Sequence, residues 1–264
     1  MNHDGWISPR DASQSFWLGK VAIGFGIGVF EGQSGENKEH QHLAHQITTS
    51  IKTGNKIEIR SRGMIHRAEA FFIPSGTPHQ LVPNQYRSIY IDTTHILAKT
   101  LRQRLTETSK LIELPTDLDK SLKNSFHQSD SIQFCLEHFM RSIGVPTEFT
   151  TPTTQIERVL EHLHQGILTS DIPDRRYLAN LLNISESRFS HWFCEQTGMP
   201  LRSYRKWLRL ISGLQQMREN RQLTDIAHQA QFSDQAHFTR TCVQMFGVRP
   251  SHLMQLQNLE FMTL

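Results

Sequence analysis

Three histidines in the first third of the chain have the side-chain type and spacing to bind a metal ion. His40 and His42 form an H-x-H pair, and His79 follows in the segment FFIPSGTPHQL. Three imidazoles that converge with open coordination positions would suit iron, zinc, manganese or nickel. His40, His42 and His79 are therefore the predicted metal ligands, and together with Gln46 they form the predicted effector site. A divalent metal is the one cofactor that the sequence suggests.

A second candidate site lies in two matched segments of the last third of the chain. The stretch LANLLNISESRFSHWFCEQTG, residues 178–198, resembles IAHQAQFSDQAHFTRTCVQMFG, residues 226–247. Two copies imply two equivalent structural units. Each copy has a small alanine, a tight turn and a serine able to cap the next helix, Ser185 in one and Ser233 in the other. Short helices that cross at such a turn form a helix-turn-helix, whose second helix can enter the major groove of DNA.

The turn of a helix-turn-helix often needs a residue with positive φ, which is why glycine is usual there. Asn183 stands at this position in the first copy and tolerates the conformation, whereas Gln231 in the second copy tolerates it less well. Below the turns, the second helices are predicted to bury Phe189 and Phe193 in the first copy, and Phe238 and Cys242 in the second.

With these apolar positions directed inward, each second helix presents a polar face. Arg can read guanine bidentately, Gln can read adenine, and Ser and His can contact bases or phosphates. Most polar helix faces are only solvated, but two matched copies in one helical region favour DNA binding. Asp234 and Ala236 share the second polar face. The predicted DNA-contacting residues are Ser187, Arg188, Ser190, His191, Gln235, His237 and Arg240.

The elements that position these residues change in character along the chain. Up to residue 93, short β-type runs such as KIEIR and EAFFIP alternate with turn residues, which predicts a barrel or sandwich over residues 1–93. Residues 94–143 have helical spacing and are predicted to pack on the barrel and supply a dimer surface. Residues 144–154 are predicted to form a linker and residues 155–257 a helical domain. The expected fold class has two domains, an α+β barrel with packed helices and an all-α domain.

Composition narrows the class of protein. The 264 residues suffice for two domains, and 37% hydrophobic with 20% charged residues is ordinary globular material. Three scattered cysteines and no long apolar run indicate the reducing cytoplasm rather than export or a membrane. The net charge of +3, with 12 Lys and Arg against 10 Asp and Glu beyond residue 151, does not indicate a bulk polyanion binder. Nucleotide-binding, zincin and hydrolase motifs do not occur in the sequence, and we expect no enzyme.

Residues 155–257 resemble the DNA-binding domain of the AraC/XylS family of bacterial transcription regulators. The resemblance is carried by the repeat, by the connecting segment LRSYRKWLRLISGLQQM and by the ending FGVRPSHL. It implies two helix-turn-helix units that are joined by a long helix and read successive major-groove segments on one face of DNA. Cys242 stands where the family usually has phenylalanine, and Ala236 offers no polar contact. The family pattern implies base contacts by Ser187, Ser190, His191, Gln235, His237 and Arg240.

The β-rich N-terminal segment resembles the cupin-like barrel that commonly precedes this domain in the family, where it senses a small molecule and helps dimerisation. The three histidines match the histidine motifs of metal-binding cupins, which also have a carboxylate soon after H-x-H. Only Gln46 lies near that position here. For an organic effector, the predicted apolar lining comes from Ile47, Ile57, Ile59, Phe71, Ile73 and Leu81 or their neighbours.

These features predict a sequence-specific transcription regulator, an activator or a repressor, that responds to a small-molecule effector in its N-terminal barrel. The predicted partners are double-stranded promoter DNA, the effector, RNA polymerase and a second copy in a homodimer, with no membrane. The alternative is a cupin-type metal-dependent sensor or enzyme domain fused to a DNA-binding module. The missing carboxylate speaks against an enzyme, and so does the attached DNA-binding module.

Overall fold

The structure, a computed structural model, has a sheet-rich N-terminal part and a helical C-terminal part. It describes residues 17–24, 26–127, 129–146, 154–169, 171–217, 222–254 and 258–262. Most of the predicted linker lies outside these residues. The strands are β1 (Leu18–Gly24), β2 (Ile27–Gln33), β3 (Ala44–Ser50), β4 (Ile57–Ser61), β5 (Met64–Ala68), β6 (Ala70–Ile73), β7 (Gln80–Leu81), β8 (Gln85–Asp92), β9 (Ile112–Glu113) and β10 (Asn258–Phe261).

Two sheets face each other in the N-terminal part and enclose an apolar interior. The larger sheet has the strand order β10-β1-β2-β8-β3-β6-β9, and the smaller has the order β5-β4-β7. Successive side chains of a strand point to opposite faces, so Phe71 and Ile73 enter the interior while Phe72 faces outward. Ile47 also packs on the outer face. The other residues of the predicted apolar lining pack together in the interior: Ile57, Ile59, Phe71, Ile73 and Leu81.

Three helices cover the outer face of the larger sheet. They are α1 (Ile96–Arg104), α2 (Thr116–Ser125) and α3 (Ile132–Ser142). Their buried side chains, among them Leu122 and Phe139, share one core with Ile47 and Phe72 of the sheet. The barrel is therefore closed on this side by helices, and its chemistry must lie in the interior or at an open end.

The C-terminal part consists of helices arranged around two cores. They are α4 (Gln155–Leu168), α5 (Arg175–Leu181), α6 (Glu186–Thr197), α7 (Leu201–Gln216), α8 (Leu223–Gln229), α9 (Gln235–Phe246) and α10 (Pro250–Leu253). Tyr204 and Leu208 of the long helix α7 belong to one core, and Trp207 and Leu210 belong to the other. Within the described part of the chain, no helix has both the length and the apolar character needed to cross a bilayer.

The last strand, β10, returns from the helical part to the barrel. It pairs in parallel with β1, where Leu259 lies opposite Val21 and Phe261 lies opposite Ile23. The amide of Met262 also donates to the carbonyl of Ile23 at 3.1 Å. The sequence did not predict this strand, which adds an edge to the larger sheet after the helices are complete.

Candidate nucleic-acid interface and histidine cluster

The first helix-turn-helix unit, residues 175–198, consists of α5 and α6. Asn183 in its turn has φ of 54°, as predicted, and the Ser185 side chain caps α6 by accepting from the amide of Arg188 at 3.3 Å. Phe189 and Phe193 are fully buried in the core beneath α6. Cap and core together fix which face of α6 remains outside.

The predicted contact residues of the first unit lie on the outer face of α6. Ser187, Arg188 and His191 are exposed. Ser190 is half-buried, and its hydroxyl donates to the carbonyl of Glu186 at 2.9 Å. Three side chains are therefore free to reach a ligand, while Ser190 is partly engaged with its own helix.

The second unit, residues 223–247, has the same arrangement of α8 and α9 but a different cap. Gln231 has φ of 60°, as predicted for its turn, and Phe238 is fully buried. The cap of α9 is Asp234, whose side chain accepts from the amide of His237 at 2.6 Å, so the prediction of Ser233 was wrong. The second turn is one residue longer than the first, which moves the cap to the next position.

The predicted contact residues of the second unit differ in their exposure. Gln235 and Arg240 are exposed, and Thr224 donates to the carboxamide oxygen of Gln235 at 3.3 Å. His237 is half-buried instead, because its ring packs on Phe232 with 5.1 Å between ring centroids. Cys242, the position that departs from the family pattern, is fully buried and fills the core.

A groove runs along α9 between the second unit and a barrel segment, residues 36–38. Gln235 and Arg240 line it, whereas His237 does not. Sequence reasoning missed other lining residues, because assigning them requires knowing which barrel loop faces α9. These are Thr224, Thr239, Val243, Gln244, Gly247, Val248, Arg249 and His252 of the helical part, and Glu36, Asn37 and Lys38 of the barrel.

The three predicted metal ligands come together at the end of the barrel nearest the second unit. His40 and His79 are joined as an isolated antiparallel bridge, and the side chain of His42 lies beside them. One ligand atom of each imidazole lies within 4.8 Å of the others, and all three residues are buried. Gln46 lies at the base of this histidine cluster, with its carboxamide oxygen 2.8 Å from Nε2 of His42 and 3.1 Å from Nε2 of His79.

Burial keeps the imidazoles of the histidine cluster neutral. Desolvation lowers the pKa of His40 to about 4, and His42 adds to the effect by charge repulsion. Desolvation also lowers the pKa of His42, and it is the main reason that the pKa of His79 lies well below its ordinary range. Neutral imidazoles keep a nitrogen lone pair, which is the form that binds metals.

The comparisons with known proteins agree with this geometry. The family model of a helix-turn-helix domain matches residues 178–255, a range that contains α6, α7, α8 and α9. Residues 178–255 are an AraC-type helix-turn-helix domain. At the level of sequence, no curated protein matches the chain.

Solved structures extend the similarity to the N-terminal part. The apo form of a ToxT variant from Vibrio cholerae is 12% identical, covers 87% of this chain and 97% of its own, and has a TM-score of 0.53. A 1.65 Å structure of ToxT from Vibrio cholerae is 10% identical, covers 87% and 98%, and has a TM-score of 0.52. An RmlC-like cupin from Shewanella frigidimarina is 15% identical, with coverage of 28% and 83% and a TM-score of 0.20. The predicted fold class, a cupin-like barrel followed by a helical domain with helix-turn-helix units, is confirmed.

An apolar cavity of about 100 Å³ lies between the barrel and the AraC-type domain. Its barrel wall comes from β1, β2 and Tyr90 of β8, and its other wall comes from α7 and the end of α9. The rings of Tyr90 and Phe246 meet across it at 5.7 Å. Charged side chains do not line it within the described residues. The sequence predicted an apolar lining inside the barrel, where the predicted residues other than Ile47 form packed core.

Proposed function

We propose that the protein is a sequence-specific DNA-binding transcription regulator whose N-terminal part responds to a small-molecule effector. The pair of helix-turn-helix units carries the proposal, since each unit has a capped second helix with buried aromatic anchors and an exposed polar face. This is the architecture that places a helix in each of two major-groove segments.

The exposed residues are assigned to the reading of DNA according to their chemistry. Arg188 and Arg240 can bind guanine bidentately, and Gln235 can bind adenine. The bond from Thr224 holds the Gln235 oxygen in place and leaves its amide hydrogens free to donate. Ser187 and His191 supplement the first unit. Ser190 and His237, which are half-buried, are assigned to phosphate contacts and to positioning.

The test is the affinity of full-length protein for DNA selected from a random library. Arg188→Ala and Arg240→Ala should each lower the affinity for selected DNA by about 1–3 kcal/mol if the arginines read bases. Arg158→Ala is the matched control, because Arg158 is an exposed arginine of α4 outside both units. An equal loss on all sequences, with a smaller salt dependence, would assign the arginine to phosphate. Unchanged affinity in both variants would contradict the proposal.

The apolar cavity is the proposed effector site. Its volume of about 100 Å³ is smaller than the roughly 150 Å³ cavity that holds benzene in an engineered protein. A larger ligand must therefore separate the barrel from the AraC-type domain, and occupancy would change how that domain presents its helices to DNA. The absence of charged lining side chains among the described residues favours a neutral apolar effector.

Gly28 of β2 offers a way to fill the cavity. An added Cβ at Gly28 meets the carbonyl oxygen of Ala22 at 3.7 Å, which is ordinary contact. We expect Gly28→Val to keep the fold and to weaken binding of the neutral probe N-phenyl-1-naphthylamine at least tenfold, as measured by its fluorescence. Equal probe binding by a folded Gly28→Val variant would place the effector elsewhere.

The proposal extends to partners and location. A homodimer would form through α1 and α3, whose side chains Ile96 and Phe134 are 38% and 49% exposed. Sedimentation of the full chain would give its oligomeric state, and Phe134→Ser should shift it toward monomer if this surface pairs.

RNA polymerase is the proposed partner at the promoter, the cytoplasm is the proposed location, and no catalytic step is assigned.

A further inference from the structure

The histidine cluster has an arrangement of hydrogen bonds that leaves nitrogen lone pairs pointing inward. Nδ1 of His40, His42 and His79 lies 2.9, 2.7 and 2.8 Å from the backbone carbonyls of residues 38, 44 and 77, respectively. A carbonyl oxygen only accepts, so each Nδ1 carries the hydrogen. Each neutral Nε2 therefore has a lone pair, and the ring is oriented by a carbonyl as metal-ligating histidines usually are.

Gln46 adds a fourth hydrogen-bond acceptor beside the three Nε2 atoms. Its carboxamide nitrogen donates to the hydroxyls of Thr48 at 2.6 Å and Ser88 at 2.9 Å. Its oxygen therefore faces the Nε2 atoms of His42 and His79 at 2.8 and 3.1 Å. Acceptors at hydrogen-bond distance with no hydrogen between them repel one another, and burial makes the repulsion stronger. A bound cation would relieve this repulsion between the acceptors.

We propose that His40, His42, His79 and the carboxamide oxygen of Gln46 bind one divalent transition-metal ion, and that this ion sets the position of the second helix-turn-helix unit. The second half of the inference rests on the proposed function; the first half does not. Imidazole nitrogens suit zinc, nickel and ferrous iron. The neutral carboxamide leaves the ion's charge uncompensated, so binding is weaker than with a carboxylate, which suits a reversible sensor.

His40 connects the histidine cluster to the second unit. The amide of Lys38 donates to the carbonyl of Gly247, the C-cap of α9, at 3.2 Å. A Cβ added to Gly247 would lie 2.7 Å from Nδ1 of His40, so the imidazole lies directly against this cap. The same segment, residues 36–38, lines the groove beside Gln235 and Arg240.

Metal binding would bring the three imidazoles closer together, and the contacts of each imidazole predict which one moves. Nitrogens bound to one tetrahedral metal lie roughly 3.4 Å apart, given metal–nitrogen distances of about 2.1 Å. The ligand atoms of the three imidazoles lie within 4.8 Å of one another, a wider limit than this spacing. Among the three rings, those of His40 and His42 are farthest apart, at 5.9 Å between centroids. His42 is bonded through Nδ1 to the carbonyl of Ala44 on β3, whereas His40 lies at the contact with the second unit, so the movement falls on His40 and on its contact with Gly247.

Metal binding is tested on full-length protein by mass spectrometry after Zn²⁺ loading and by the visible spectrum of the Co²⁺ form. We expect one ion per chain and nitrogen-ligated Co²⁺. His79→Ala should lower the affinity by more than the 10- to 100-fold that loss of an outer hydrogen-bond partner costs. His66→Ala, on β5 outside the cluster, is the matched control and should keep the ion. Because His79→Ala could disturb folding, Gln46→Glu provides a second test and should bind Zn²⁺ more tightly.

A protein that binds no metal would overturn the first half of the inference. Gln46 would then be turned about its amide, with its nitrogen donating to both imidazoles and its oxygen accepting from Thr48 and Ser88, and Gln46→Glu would gain no affinity. That result would leave DNA binding by the two units untouched.

The coupling is tested by hydrogen exchange without DNA. Zn²⁺ should change exchange in residues 234–247 at least threefold and change it less in residues 185–198, because Gly247 of the second unit lies against His40, whereas the first unit meets the barrel through Thr93, which donates to the carbonyl of Thr197. Equal exchange in both units, with and without bound Zn²⁺, would overturn the second half of the inference. Because no DNA is present, failure of the proposed DNA binding would appear only in the separate affinity measurement.

Discussion

The two helix-turn-helix units have the same local design but different neighbours. The buried residues in the core of the first unit come from the helical part, between Val159 and Leu208, and the partly buried Leu43 of the barrel packs against them. Thr93 of the barrel also donates to the carbonyl of Thr197 at 2.7 Å. The core of the second unit includes Ile23 and Ala44 of the barrel, and its C-cap Gly247 touches residues 37–40. A repeated motif can therefore become functionally unequal through what packs against it. Both units contact the barrel, but among the described residues the core of the second unit is the one that includes buried barrel side chains.

Removing one aromatic anchor from each unit tests this difference with the largest expected effect. Phe189→Ala and Phe238→Ala should each lower the free energy of unfolding by about 3–5 kcal/mol, because both rings are fully buried. Phe238→Ala should also speed hydrogen exchange in β1, since Ile23 shares its core, and Phe189→Ala should not. Urea unfolding and exchange mass spectrometry measure both. Equal exchange in β1 would mean that the units do not differ in this way.

The two helix C-caps offer a matched pair of smaller changes. Gly198 and Gly247 have φ of 75° and 70°, so alanine costs about 1–2 kcal/mol at either cap. Gly247→Ala should cost more, because its Cβ would lie 2.6 Å from the carbonyl oxygen of Lys38, whereas an added Cβ at Gly198 meets open space. Thermal unfolding gives the comparison. If Gly198→Ala were the more damaging, the contact between residues 37–40 and the cap would have to be abandoned.

The turns supply the smallest expected effect. Gln231→Gly should stabilise the protein by about 0.5–1 kcal/mol, because glutamine is held at φ of 60° and glycine adopts this conformation freely. Asn183→Gly should change stability by less, because asparagine tolerates positive φ better. Urea midpoints with unchanged slopes measure the difference. A larger gain at Asn183 would show that side-chain contacts, rather than backbone strain, decide the two turns.

The sequence predicted features that depend on local pattern. Alternating and helical spacing placed the sheets and helices, and the repeat predicted both turns and the burial of Phe189 and Phe238. The error at Ser233 came from aligning serine with serine, although the second copy is one residue longer than the first, at 22 against 21 residues. The cap follows the helix start, and that start shifts with turn length.

The remaining features depend on how distant segments meet. Nothing in the order of residues places Gly247 against His40, or β1 opposite α7, because these contacts are fixed by the docking of the barrel on the helical part. The interdomain cavity and the groove beside α9 were therefore beyond prediction. Strand β10 was missed for a related reason. A four-residue strand carries little periodic signal, and its pairing with β1, rather than its own sequence pattern, makes it a strand.

Strand β10 also determines which motions the AraC-type domain can make. The domain is joined to the barrel by the chain before α4 and again by the pairing of β10 with β1, so it is a loop anchored at both ends. A closed loop keeps its segments at high effective concentration and allows rotation about the line through its two anchors more readily than separation. A signal that moves the whole domain on the barrel should therefore turn the two recognition helices together, whereas a signal through Gly247 acts on the second unit.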